Sequence, residues 1–189
     1  GNQWSTAECD PRLMASVSEA VRFLKTQGFQ GVFGLDLLLP EDGTEARIIE
    51  VNPRLTSGFS MEGMLGIWDA STDLMEALLA SEGGATLQST PVIPSSAAAA
   101  QAVVYGHHTE ESPIQQTVQS GRYTRQNGLI RLLEPSSDLA LCGPDEAIVL
   151  ARSKGQRVGA HGELARVQVW GGEPELTDWI PWLRQNVWV

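Results

Sequence analysis

Four polar residues in the first third of the chain, Asp36, Glu50, Asn52 and Arg54, have the types and spacing of a cation and phosphate site. They lie on two short apolar runs, residues 31–39 and 46–52, rich in Val, Ile and Leu, and the segment between them, Pro40-Glu41-Asp42-Gly43-Thr44-Glu45, has turn chemistry. The pattern predicts a β-hairpin, and a turn centred on Gly43 sets Asp36 directly opposite Glu50. Opposed side chains on one sheet face have Cβ atoms ~5 Å apart, and Glu50 and Asn52, two apart on one strand, project to that same face. Leu35, Leu37, Ile49 and Val51 then point the other way and anchor the hairpin in a core. Two carboxylates this close repel and are costly to desolvate unless a cation or a shared proton compensates them. Carboxylate and amide oxygens are hard donors suited to Mg²⁺ or Mn²⁺; Mg²⁺ takes one or two protein carboxylates and completes its octahedron with water and substrate phosphates. That implies a nucleotide. Pro53 ends the strand, and Arg54 beyond it is placed to grip a phosphate or carboxylate in a bidentate manner. The bland alternatives are a solvated polar hairpin face and a structural Arg54–Glu50 ion pair.

At these residues the chain resembles the ATP-grasp family. Gly-Val-Phe-Gly-Leu-Asp (31–36), followed after a short hairpin by Ile-Ile-Glu-Val-Asn-Pro-Arg (48–54), is similar to the paired magnesium-binding strands of ATP-grasp ligases related to carbamoyl-phosphate synthase and biotin carboxylase. The likeness covers residues 11–66. Carried over by position, it implies that Asp36, Glu50 and Asn52 are metal ligands, with Glu50 bridging two ions and Asn52 on the second. It implies that Asn52 and Arg54 face bound ATP, and that Arg54 serves catalysis by holding the reacting phosphate or acyl-phosphate. The implied activity is ATP-dependent ligation of a small carboxylate to an amine through an acyl-phosphate. The family's phosphate-gripping lysines, glycine-rich loop and adenine pocket precede the metal strands, whereas here the lysines are only Lys25 and Lys154 and no Gly-x-x-x-x-Gly-Lys loop occurs. The expectation is therefore the carboxy-terminal portion of an ATP-grasp enzyme, its nucleotide lobe supplied by upstream sequence or a partner chain. The competing class is a non-catalytic binding or assembly module that keeps the lobe as a scaffold. Residues 55–60, Leu-Thr-Ser-Gly-Phe-Ser, either line an acceptor pocket or form a polar turn.

The elements that must position these residues follow from periodicity. Asp10-Pro11 reads as an N-cap followed by proline at the first helical position. Leu13, Met14, Val17, Ala20, Val21 and Leu24 then repeat at helical spacing until Gly28, which predicts an amphipathic helix over 11–27. A second short helix is expected over 72–81, with Leu74, Met75, Leu78 and Leu79 on one face. Gly, Pro, Ser and Ala then crowd residues 83–100, which read as a linker. Beyond it, residues 101–105, 128–133, 147–151 and 165–170 are short and β-prone. The expected fold is α+β: an ATP-grasp carboxy-terminal lobe over 1–82, an antiparallel sheet with flanking helices, then a β-rich subdomain over 101–189.

Composition sets the outer limits. The 189 residues are 42% apolar, enough for a core, and no apolar run spans a bilayer, so the expectation is a cytoplasmic protein without membrane partners. A net charge of −10 demotes nucleic acid, whose binding draws on clustered Lys and Arg. A homo-oligomer is left open. Cys9 and Cys142 belong to no CxxC and read as reduced thiols. His107, His108 and His161 read as surface or loop residues, and the late tryptophans 170, 179, 182 and 188 as packing rather than docking.

Overall fold

The structure is a computed structural model and describes residues 2–4, 11–40, 45–56, 79–80, 83 and 98–189. The fold is α+β, and the chain divides into two compact units: Ala7–Ser95, and Gly1–Thr6 together with Ser96–Val189. Among the described residues no helix is long and apolar enough to cross a membrane.

In the unit of Ala7–Ser95, helix α1 (Pro11–Thr26) starts on proline, whose missing N–H costs nothing in a first turn. Leu13, Val17, Ala20, Val21 and Leu24 are buried or half-buried, as the periodicity predicts, whereas Met14 is half exposed. The helix ends where Gly28 adopts φ 74°. There the Gly28 N–H donates to Lys25 O and the Phe29 N–H to Leu24 O, both at 3.0 Å, the paired bonds of a Schellman cap. Ser16 is buried on the inner side, and its Oγ donates to Ala46 O at 2.8 Å. That bond ties α1 to the residue just before the second hairpin strand.

The hairpin comprises β2 (Gly34–Leu38) and β3 (Arg47–Asn52), paired antiparallel. Of its predicted turn, 40–45, residues 41–44 lie outside the described residues. So does the 72–81 helix apart from 79–80, which are helical, with the Gly83 N–H donating to Leu79 O at 3.0 Å. The expected linker lies outside them as far as residue 97, except Gly83.

In the other unit, six strands form one antiparallel sheet in the order β1-β4-β10-β8-β6-β7. They are β1 (Asn2–Trp4), β4 (Ala99–Tyr105), β10 (Glu163–Trp170), β8 (Glu146–Ala151), β6 (Gly121–Gln126) and β7 (Leu129–Glu134). Two short strands, β5 (Ser112–Pro113) and β9 (Arg157–Val158), pair separately. β4 starts earlier than its β-prone run suggests, because Ala99 and Ala100 are fully buried and pair with Trp170 and Val169. β6 and β7 are joined by Asn127-Gly128, at φ 51° and 75°. Two consecutive left-handed residues give the hairpin turn whose twist matches the strands.

Ala100, Ala102, Val104, Val149, Val167 and Val169 belong to one core with Trp179, Leu183 and Val187. Trp179 and Leu183 lie on helix α2 (Trp179–Asn186), which tolerates Pro181 because first-turn N–H groups have no helical partner. Trp182 packs on Tyr123 at 5.3 Å between ring centroids and on Trp179 at 6.3 Å. These indoles serve packing, as expected. Trp188, 45% exposed, contributes through its backbone, exchanging bonds with Gln116.

Candidate functional site

The strand pairing sets Gly34 opposite Asn52, Leu35 opposite Val51 and Asp36 opposite Glu50. Up to Asp36 this is the register of a turn centred on Gly43. Between Asp36 and Leu37 it shifts by one, so Leu37 faces Ile48 and Ile49 has no partner across the hairpin. A bulge of this kind reverses the alternation beyond it. Ile49, expected to anchor the core, is instead 67% exposed. Leu35, Leu37, Ile48 and Val51 are the half-buried apolar residues of the two strands, Ile48 standing where Ile49 was expected.

The slip falls just past the polar residues and leaves their convergence intact. The Asn52 Nδ2 donates to Asp36 Oδ2 at 3.0 Å, and an Arg54 terminal nitrogen donates to Asn52 Oδ1 at 3.2 Å. The other terminal nitrogen of Arg54 reaches Leu55 O at 3.3 Å. The amide of Asn52 thus bridges the carboxylate and the guanidinium. Asp36, Glu50 and Arg54 are exposed, and Glu50 makes no hydrogen bond or ion pair among the described residues. Nor does Arg54 pair with Glu50 there; its two acceptors are neutral oxygens, so its charge is uncompensated by them.

Gly34, directly across from Asn52, extends the same face. A Cβ added to it would overlap Thr56 Cγ2, so the Thr56 side chain closes over the space that Gly34 leaves beside Asn52. Of the 55–60 segment, Leu55 and Thr56 are described, and 57–60 lie outside the described residues. Thr56 belongs to the 55–60 segment expected either to line an acceptor pocket or to form a polar turn, and it borders the polar face where glycine opposite Asn52 permits a close approach.

The remaining candidates are dispersed. Lys25 lies exposed in the last turn of α1, and Lys154 in a turn after β8. His107 and His161 are exposed, as expected. His108 is more than a loop residue: its Nε2 lies 3.2 Å from Val158 O and 2.9 Å from Gly159 O. Both partners accept only, so Nε2 carries the proton, while Nδ1 is buried against Gly106 without a partner among the described residues. Among the described residues no group of three or more His, Cys, Asp and Glu is placed to hold a metal. The hairpin set has two carboxylates, and its third candidate donor is an amide. No protein-family model, curated protein or solved structure matches the chain.

Proposed function

We propose that the β2–β3 hairpin is the metal- and phosphate-binding half of an ATP-dependent carboxylate–amine ligase of ATP-grasp type working through an acyl-phosphate. The observation that supports this reading is the alignment of Asp36 against Glu50 with Asn52 bonded to Asp36 and Arg54 bonded to Asn52, all on one face. Asp36 and Glu50 offer hard oxygen donors suited to Mg²⁺ or Mn²⁺, which neutralises charge developing on transferred phosphoryl groups. Asn52 fits with one adjustment. Its amide nitrogen faces Asp36 and its oxygen faces Arg54, so ligation exchanges the two ends of the amide, releasing Arg54 from Asn52. The released guanidinium then binds phosphate or acyl-phosphate through its fork. The nucleotide lobe comes from upstream sequence or a partner chain.

A scaffold module is the second reading. It is favoured by the self-contained Asp36–Asn52–Arg54 bonding, which needs no ligand to be satisfied.

Titrating Mn²⁺ into the chain while following its proton–nitrogen spectrum separates the two. The ligase reading expects paramagnetic broadening of the Asn52 side-chain amide and the Leu35 and Val51 backbone amides, and loss of that broadening in Glu50→Gln. Uniform or absent broadening at these positions overturns it. In the form that includes the nucleotide lobe, Glu50→Gln lowers turnover by about 10²–10³, the scale for removing one preorganised electrostatic element. The scaffold reading expects wild-type turnover or none in either protein.

A further inference from the structure

Beyond the end of β4, residues 106–108 form a strap fastened to the connection between β9 and β10. The Gly106 N–H donates to Gly162 O at 3.0 Å, and the His161 N–H donates to His108 O at 3.1 Å. His161 makes its bond at φ 54°, a left-handed conformation uncommon outside glycine. The third fastening is a side chain. The His108 Nε2–H donates to Val158 O at 3.2 Å and to Gly159 O at 2.9 Å, across fifty residues of sequence.

The slot that holds this ring is built for one protonation state. Nε2 faces two carbonyls and must carry a proton to bond them. Nδ1, on the other side of the ring, is buried with no partner among the described residues. It packs where a side chain on position 106 would begin: a Cβ added to Gly106 would overlap His108 Nδ1 and Cε1, and Leu164 Cδ2 lies 3.5 Å from the same point. A neutral Nδ1 leaves only an acceptor unanswered. A proton there turns it into a donor with no acceptor and places a positive charge beside glycine and leucine, and a buried donor or charge without a partner is costly.

The charged and titratable groups around the slot offer no compensation. On β9, Arg157 adds a positive charge and is itself paired with Glu111 at 3.1 Å. At the start of β10, both oxygens of Glu163 are taken by Arg166, at 3.0 Å and 2.9 Å. Tyr105, His107, Glu110 and His161 are exposed, and none of their side chains bonds His108 among the described residues.

We propose that His108 is a proton-operated release for this strap: the neutral ring closes it, and proton uptake at Nδ1 expels the ring from its slot and frees residues 106–108 from 158–162. Once expelled, the imidazolium has water for both N–H groups. Proton uptake therefore favours the open strap, which gains as pH falls through the range in which a solvated imidazole titrates, ~6.5, and is lost again above it. The device is independent of the hairpin and of the function proposed for it.

Native-state hydrogen exchange on the 189-residue chain tests this, with protection factors compared at about pH 7.5 and about pH 5, either side of the imidazole range. The Gly106 and His161 amides are expected to lose protection about tenfold at the lower pH, while Val167, within the sheet, keeps its own. The loss should share its midpoint with the His108 Cε1–H titration. His108→Gln presents an amide N–H to the same carbonyls but takes no proton, so the pH dependence should vanish. It should persist in His107→Gln and in His161→Asn, where asparagine tolerates the left-handed backbone. Equal protection at the two pH values, a midpoint different from that of His108, or a loss that survives His108→Gln overturns the proposal. Where His108→Gln loses its native spectrum, the two midpoints of the wild type decide.

Discussion

At the scale of single residues, the polar face of the hairpin depends on what is absent at position 34 as much as on what is present at 36, 50 and 52. Gly34→Ala places a methyl group where Thr56 Cγ2 now lies. We expect a loss of about 1–3 kcal/mol, the usual cost of overpacking, with the larger relative damage to the Asn52 environment. Thermal melting together with the Asn52 side-chain resonance measures both; an unchanged melt places Thr56 elsewhere in solution. Cys142 gives a prediction in pH. Its folded thiol is raised from 9.0 to about 11, so the neutral form is favoured by folding. The corresponding stability is intact below pH 9 and disappears as pH rises through 11. In a Cys9→Ser background Cys142 is therefore expected to alkylate more slowly at pH 8 than a free thiol, and Cys142→Ala to flatten the alkaline loss of stability. The convergence of Asp36, Glu50 and Asn52 was readable because strand alternation has a period of two and the turn supplied a register. The role of His108 was not, because its partners, Val158 O and Gly159 O, are backbone atoms fifty residues away.

At the scale of elements, caps and turns were the legible part and bulges were not. Pro11 and Gly28 bracketed α1 to within a residue of its observed end, because each acts through its own backbone. Gly28→Ala forces a side chain into the left-handed region and is expected to cost about 1–2 kcal/mol in the unit of Ala7–Ser95. Differential melting of wild type and variant checks this, and an unchanged melt removes the cap from the account. Ile49 shows the opposite case. Nothing in an alternating run marks where a strand inserts one residue, and the single slip between Asp36 and Leu37 exchanged Ile48 and Ile49 between the two faces. Strand β6, Gly121–Gln126, was likewise overlooked, since Arg122, Arg125 and Gln126 make it read as a loop. Its arginines are accommodated by ion pairs with Glu134, Glu146, Asp145 and Asp178, a compensation visible only in three dimensions. The Asn127-Gly128 pair was the local signal that could have located it.

At the scale of the molecule, the two units place different demands on experiment. The hairpin offers two carboxylates, one amide and one arginine, while Lys25 is exposed in the last turn of α1 and Lys154 belongs to the other unit. The chain by itself is therefore expected to hydrolyse no ATP at a measurable rate, because ligands without positioning supply little of the barrier reduction. A phosphate-release assay on the purified chain with Mg-ATP checks this, and robust turnover would show that the grip is built within these residues. The α+β class and the β-rich second half were legible from periodicity alone. The inclusion of Gly1–Thr6 with Ser96–Val189 was not, because a three-residue strand leaves no periodic trace.

That small strand has a consequence for how the chain assembles. β1 pairs with β4, setting Asn2 opposite Gln101 and Trp4 opposite Ala99, so the whole of Ala7–Ser95 is inserted in sequence between two strands that are neighbours in the sheet. On a ribosome β1 emerges before its partner β4, which is made only after all of the intervening unit. Its pairing closes the longest loop in the sheet and bears the largest closure entropy, whereas the β6–β7 hairpin closes over two residues. β1 is therefore a late latch on a sheet that is otherwise built from the second half of the chain. In pulsed hydrogen exchange during refolding, β1 amides should gain protection after those of β6, β8 and β10. A variant in which a short turn replaces residues 7–95 makes β1 and β4 a simple hairpin and should remove that delay.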